Sequence, residues 1–255
     1  MLNIFSVIIP VLLAILIVSR FRSKLNSRDS TILIVSFLIA TITVIPSLMI
    51  KFSAKSLGFE LHTGVASGAG NILFQNLGYV LFSGFIDELN KYIVIAAYAY
   101  RRKEFDEPMA GILAAVMIAL GFSLSENVWY IFSENKLFFG ANAWRMLVSI
   151  PASLCFAVIM GFNAGMSKYG LDSDDLSSMG LRMKGLFLAT LYHAAFFFFL
   201  TVEEYAPIMP FIVVLTLLLL FQVGLALFRA KKLHVRLMYS RSRRAKQSYD
   251  NPFSS

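Results

Sequence analysis

Seven apolar runs separated by short polar breaks constrain this chain more than any other feature. They fall at about 2–19, 31–50, 72–100, 108–133, 142–166, 181–202 and 207–229. The longest approach or reach the roughly 20 residues that a helix needs to cross about 30 Å of hydrocarbon. A water-soluble domain would have to bury nearly the whole chain, because 58% of its 255 residues are hydrophobic and only 15% are charged. The expected fold class is all-α: a polytopic transmembrane helix bundle of about seven spans. Residues 4–18 could pass for the apolar part of a signal peptide. No basic stretch precedes them and no A-x-A-like site follows, so they are read as a retained first helix.

Basic residues set the orientation, since they collect in cytoplasmic connections. Of the 23 Lys and Arg, 18 fall in alternate connections on one side. Four, Lys51, Lys55, Lys136 and Arg145, fall on the other, and Lys91 lies inside the third run. The chain is therefore expected to run N-out, C-in, with one transmembrane domain over 1–230 and a basic, disordered cytoplasmic tail over 231–255. Within that tail Arg241, Arg243, Arg244 and Lys246 suit the bilayer's anionic lipid headgroups. No nucleic-acid motif accompanies them, so nucleic acid is not an expected partner. The 51–71 connection, with Gly58, Gly64, Gly68 and Gly70, reads as a mobile external loop. Cys155 is the single cysteine, so no intrachain disulfide can form. Short loops and the lack of a targeting segment fit a multi-pass protein of a bacterial or archaeal plasma membrane.

Against this background the ionisable residues inside the runs stand out, because a charge near the bilayer centre costs at least about 2.5–3.5 kcal/mol. The third run carries Asp87, Glu88 and Lys91, the fourth Glu126 beside Asn127, and the sixth His193. At about 1.5 Å per residue, Glu88 and His193 each lie roughly 18 Å from the cytoplasmic ends of their helices, and Glu126 roughly 27 Å from its own. Glu88 and His193 thus share a layer, with Glu126 expected farther outward. Glu88 and Lys91 share a helix face and can pair. Asp87 points about 100° away from Glu88 around the helix, so a single lysine does not serve both acids, and a hydrated pocket is the economical answer. Glutamates and a histidine around such a pocket form a general acid–base set suited to peptide hydrolysis. A covalent mechanism has less support, since no G-x-S-x-G elbow occurs. No metal cofactor is expected, because H-E-x-x-H spacing is absent. Glu88, Glu126 and His193 are the three groups that could hold a zinc ion if one were bound.

The same residues resemble a known family, the PrsW-type intramembrane proteases, which are related to the CAAX prenyl endopeptidases and bacteriocin-immunity membrane proteases. Asp87-Glu88-Leu89-Asn90-Lys91 is similar to the family's E-E-x-x-K motif. Phe122 to Asn127 is similar to its F-x-x-x-E-N motif, and His193 matches the histidine of its late helix. The likeness covers about residues 70–205. It implies that Glu88, with Asp87, activates water, that Glu126 and His193 complete the site, and that Lys91 and Asn127 support it. It also implies a membrane protein as substrate, cut in or near the bilayer, with release of a regulator as one outcome. The chain departs from the pattern at Asp87, which is shorter than Glu by about one methylene. It departs again at Ser153, where the family often has another histidine, and at Phe196 and Phe197, where it often has Asn or Asp. Those departures support an alternative from the binding class, a catalytically silent relative that holds a membrane partner. A proton-coupled carrier is a further alternative, although no repeated pair of broken helices marks one.

Overall fold

The structure is a computed structural model that describes residues 2–21, 27–59, 69–103, 105, 107–133, 141–169, 175–202 and 209–250. Seven α-helices and no strand occur among them. They are α1 (Leu2–Phe21), α2 (Ser27–Ser56), α3 (Ala69–Ala97), α4 (Pro108–Ser133), α5 (Ala141–Tyr169), α6 (Asp175–Val202) and α7 (Met209–Asp250), with a single 3-10 turn at Ala99–Arg101 after α3. Four helices, α2, α4, α5 and α7, contain stretches long and apolar enough to cross a membrane. Large apolar side chains such as Leu12 and Ile15 on α1, Ile42 and Met49 on α2, and Leu217 and Phe221 on α7 point outward. Exposed apolar surface on that scale has hydrocarbon, not water, as its matching solvent.

Helix α4 is the centre of the bundle, and every residue from Gly111 to Ser123 is buried. Its N-terminal half meets α5 backbone to backbone. A Cβ on Gly161 would lie 2.5 Å from the Gly111 carbonyl oxygen, and one on Gly165 would lie 2.5 Å from Pro108 Cα. Small residues permit this approach, and in lipid, where apolar side chains gain nothing by leaving the tails, close van der Waals packing is what binds helix to helix.

Helix α2 runs farther than its hydropathy suggests, through Lys51 to Ser56. It ends where a residue can take a left-handed backbone, at Gly58 with φ +80°. The Gly58 amide donates to the Lys55 carbonyl and the Phe59 amide to the Ala54 carbonyl, the paired bonds of a Schellman cap. Phe59 then packs edge-on against Tyr79 and Phe82 of α3, so the cap fixes the C-terminal end of α2 to α3. The expected loop thus begins at Leu57, not at residue 51, and its segment 60–68 lies outside the described residues, as does the 134–140 connection.

The tail also differs from expectation. Helix α7 continues without a break through 231–250, in place of the expected disordered segment. Neither Gly nor Pro interrupts residues 225–251, and Pro252 follows, so nothing in the sequence stops the helix earlier. At about 1.5 Å per residue α7 is roughly twice as long as a bilayer core is thick. Its basic part is tied back to the bundle by His234 Nδ1, 2.7 Å from Glu107 Oε2 just before α4.

Candidate active site

Five helices surround a cavity of about 360 Å³, and each lines it with residues at helical spacing. From α3 come Ser83, Asp87 and Lys91, from α4 Ser123, Glu126, Asn127 and Tyr130, from α5 Ser149, Ser153 and Phe156, and from α6 His193 and Phe197. Positions three and four apart share a face, so each helix turns these residues toward one point. Lys51 and Lys55 of α2 complete the wall.

Glu88 is not part of that wall. It lies one residue around α3 from Asp87 and is 0% exposed. Its Oε1 takes two partners, Lys91 Nζ at 2.7 Å and His193 Nδ1 at 2.8 Å. Oε2 is buried with no hydrogen-bond partner, so Oε1 carries all of the pairing. An ionised carboxylate can only accept, and Nδ1 of His193 therefore carries the hydrogen of this bond. In a neutral ring that leaves Nε2 with the lone pair, and Nε2 lies 3.9 Å from Asp87 Oδ2. The imidazole packs against two rings, Phe156 at 5.4 Å and 29° and Phe197 at 4.8 Å and 35°. Gly84 makes room behind it, since a Cβ there would come within 3.1 Å of His193 Cδ2. Phe197, a departure from the family pattern, has a packing role against the imidazole.

Both oxygens of Asp87 are engaged from α2. Ser47 Oγ donates to its Oδ1 and Lys51 Nζ donates to its Oδ2 at 2.6 Å. Ser47 and Lys51 are four apart, so one face of α2 grips both oxygens. The same ammonium lies 3.7 Å from Glu126 Oε1. Glu126 therefore shares the site with Asp87, although helical rise alone sets it farther outward. Its side chain keeps 23% exposure, the most of the three acids. Lys91 also donates to Ser153 Oγ at 3.2 Å and lies over the Phe122 ring at 5.0 Å. Ser153 thus takes part as an acceptor for that lysine. Asn127 lines the cavity, yet its amide donates to the Ser6 carbonyl at 2.9 Å, which ties α4 to α1.

Sequence reasoning misses Lys51 because hydropathy ends the span at the first lysine, and it misses Ser47, which lies inside that span, because a lone hydroxyl carries no charge to mark it. Gly58 is the available signal that the helix runs on. The three groups that could hold zinc are not brought together as ligands: Glu88 is taken by Lys91 and His193, and Glu126 faces Lys51. Among the described residues no three His, Cys, Asp or Glu side chains group in a way that could hold a metal ion.

Comparison with known proteins gives a consistent result. The family described as PrsW family intramembrane metalloprotease matches residues 29–223. The chain is 29% identical over 174 residues to a Protease PrsW of Clostridioides difficile, which covers 67% of this chain and 66%, just under two thirds, of that relative. It is 27% identical over 191 residues to a Protease PrsW of Shouchella clausii, covering 73% of this chain and 80% of the relative. Against the Protease PrsW of Bacillus subtilis it is 26% identical over 167 residues, covering 65% of this chain and 68% of the relative. No solved structure matches.

Proposed function

Because the chain belongs to the PrsW family of intramembrane metalloproteases, we propose that it is an intramembrane endopeptidase that hydrolyses a peptide bond in a membrane-embedded or membrane-proximal segment of another protein. The observation that carries this reading is the Glu88–His193 couple, whose free imidazole nitrogen lies at a cavity also walled by Glu126. Glu88 accepts the Nδ1 hydrogen and fixes the tautomer, as the carboxylate does in an acid–histidine pair. His193 Nε2 takes a proton from water as that water attacks the scissile carbonyl carbon, and returns it to the leaving amine. Glu126 orients the water. The ammonium of Lys91 at the cavity wall offers positive charge to the developing oxyanion. This division differs from the roles the resemblance implies, in which Glu88 itself activates water.

In this reading the chain crosses a bacterial or archaeal plasma membrane seven times, N-out and C-in, and the basic end of α7 rests on anionic headgroups. Purified, detergent-solubilised protein is expected to cut members of a library of single-pass membrane substrates. His193→Ala and Glu126→Gln, each folded, should lose that cleavage, and Glu88→Gln should weaken it. Cleavage that survives in His193→Ala removes the mechanism. A second reading, a silent relative that binds a membrane partner, is favoured by Asp87, whose two oxygens are both engaged by α2, and by Ser153 and Phe197. Partner binding without turnover across the library would support it.

A further inference from the structure

The two acids that wall the cavity, Asp87 on α3 and Glu126 on α4, are joined by a third helix. Lys51 Nζ of α2 lies 2.6 Å from Asp87 Oδ2 and 3.7 Å from Glu126 Oε1. Asp87 Oδ2 in turn lies 3.9 Å from His193 Nε2, the nitrogen that serves as base in the proposed reaction. Two carboxylates that face one cavity repel each other, and an ammonium between them removes that repulsion while it holds an oxygen of each. Without it Glu126, whose side chain keeps 23% exposure, has room to turn away from the water it orients. The ammonium is itself well placed. Its helix is seated on α4 where Gly121 meets the Phe37 backbone, is capped beyond Lys51 at Gly58, and grips the other oxygen of Asp87 with Ser47.

We propose that Lys51 is a positioning residue for peptide hydrolysis, its ammonium bridging Asp87 and Glu126 so that the Glu126 carboxylate stays on the water that His193 deprotonates. The inference rests on the reaction assigned above and adds to it a residue outside the motifs that suggest that reaction. The side chain is only 15% exposed and its charge is already shared by two acids, so it holds the site's own groups and not the substrate. Its loss should therefore slow turnover and leave substrate affinity alone. The requirement is for positive charge at this point, which an apolar side chain of similar length cannot supply.

The experiment is cleavage of the single-pass membrane substrate library by the purified full chain in detergent, with kcat and KM taken on the best-cut member. Lys51→Met should lower kcat about 10–100-fold, the usual cost of losing a group that acts through another, with KM within about twofold. Lys51→Arg, which keeps the charge, should stay within about fivefold of wild type. Lys51→Cys in a Cys155→Ser background separates charge from folding. There 2-bromoethylamine alkylates the thiolate, bromide leaves, and the product carries an ammonium at nearly the length of lysine. Its kcat should exceed about tenfold that of the same protein treated with iodoacetamide, which adds a neutral amide. Mass spectrometry and circular dichroism establish modification and fold. A folded Lys51→Met with the kcat of wild type would overturn the proposal, as would a loss that falls on KM alone, or aminoethylated protein no faster than the amide. Wild type that cuts nothing across the library would overturn the proposed reaction and this inference together, whereas the other outcomes overturn the inference alone.

Discussion

The two halves of α4 occupy the same bundle and are held there in opposite ways. From Gly111 to Leu120 the helix is buried on every side, and its contact with α5 is backbone against backbone through Gly111, Gly161 and Gly165. From Ser123 to Tyr130 it faces a cavity, and its neighbours are joined through ion pairs and hydrogen bonds: Lys51 with Asp87 and Glu126, Lys91 with Glu88 and Ser153. The first half leaves no space in which a charge could sit. The second keeps its helices apart, and charges of opposite sign hold one another across the gap. Shape determines the first region, so an added atom should harm it most. Charge and hydrogen-bond direction determine the second, so a change that preserves size can still abolish its chemistry.

The largest effect should come from the polar half. His193→Ala is expected to lower cleavage about 10³-fold, within the range for loss of a general acid–base group, with little change in unfolding midpoint. A comparable loss of stability would mean that the polar half is held by packing after all. Next comes the dry half: Gly161→Val forces a side chain into the Gly111 carbonyl and Ala115 Cβ, and overpacking of this kind costs about 1–3 kcal/mol. A scan of thermal unfolding in detergent should register it, and the surviving folded fraction should keep its specific activity. Glu88→Gln retains the size of the side chain but weakens the hold on Nδ1, so cleavage should fall about 10–100-fold, as for other groups that act through a first partner. Unchanged kcat in that variant would remove Glu88 as the orienting group. The smallest change is Asn127→Ala, which deletes one bond to the Ser6 carbonyl and should cost about 1 kcal/mol of stability while leaving cleavage nearly intact. A large loss of activity there would restore Asn127 to the site that the family motif implies.

The intramembrane acids and His193 are legible in the sequence because a charge in an apolar run is costly wherever the helix sits. Helical spacing also sets Glu88 and Lys91 on one face of their run, a pairing the sequence alone contains. Lys51 is not, because hydropathy marks where apolar residues stop and a helix stops only where its backbone bonds do. The cap at Gly58 carries that information. The tail escapes for a related reason: Lys and Arg end a membrane span but are good helix formers, so α7 runs on.

Composition and spacing along the chain were enough to establish a membrane-embedded helical bundle and to name Asp87, Glu88, Lys91, Glu126 and His193 as its costly residues. Both are local properties, set by the transfer cost of each side chain and by 3.6 residues per turn. Which acid meets which partner was decided only in three dimensions. That Glu88 lies behind His193, that Asp87 is gripped by Ser47 and Lys51, and that Glu126 comes level with them depend on how far each helix slides and rotates against its neighbours. Those shifts are fixed by contacts such as the glycine seam of α4 and α5, between residues some fifty positions apart in the sequence, and no periodicity within a single helix contains them.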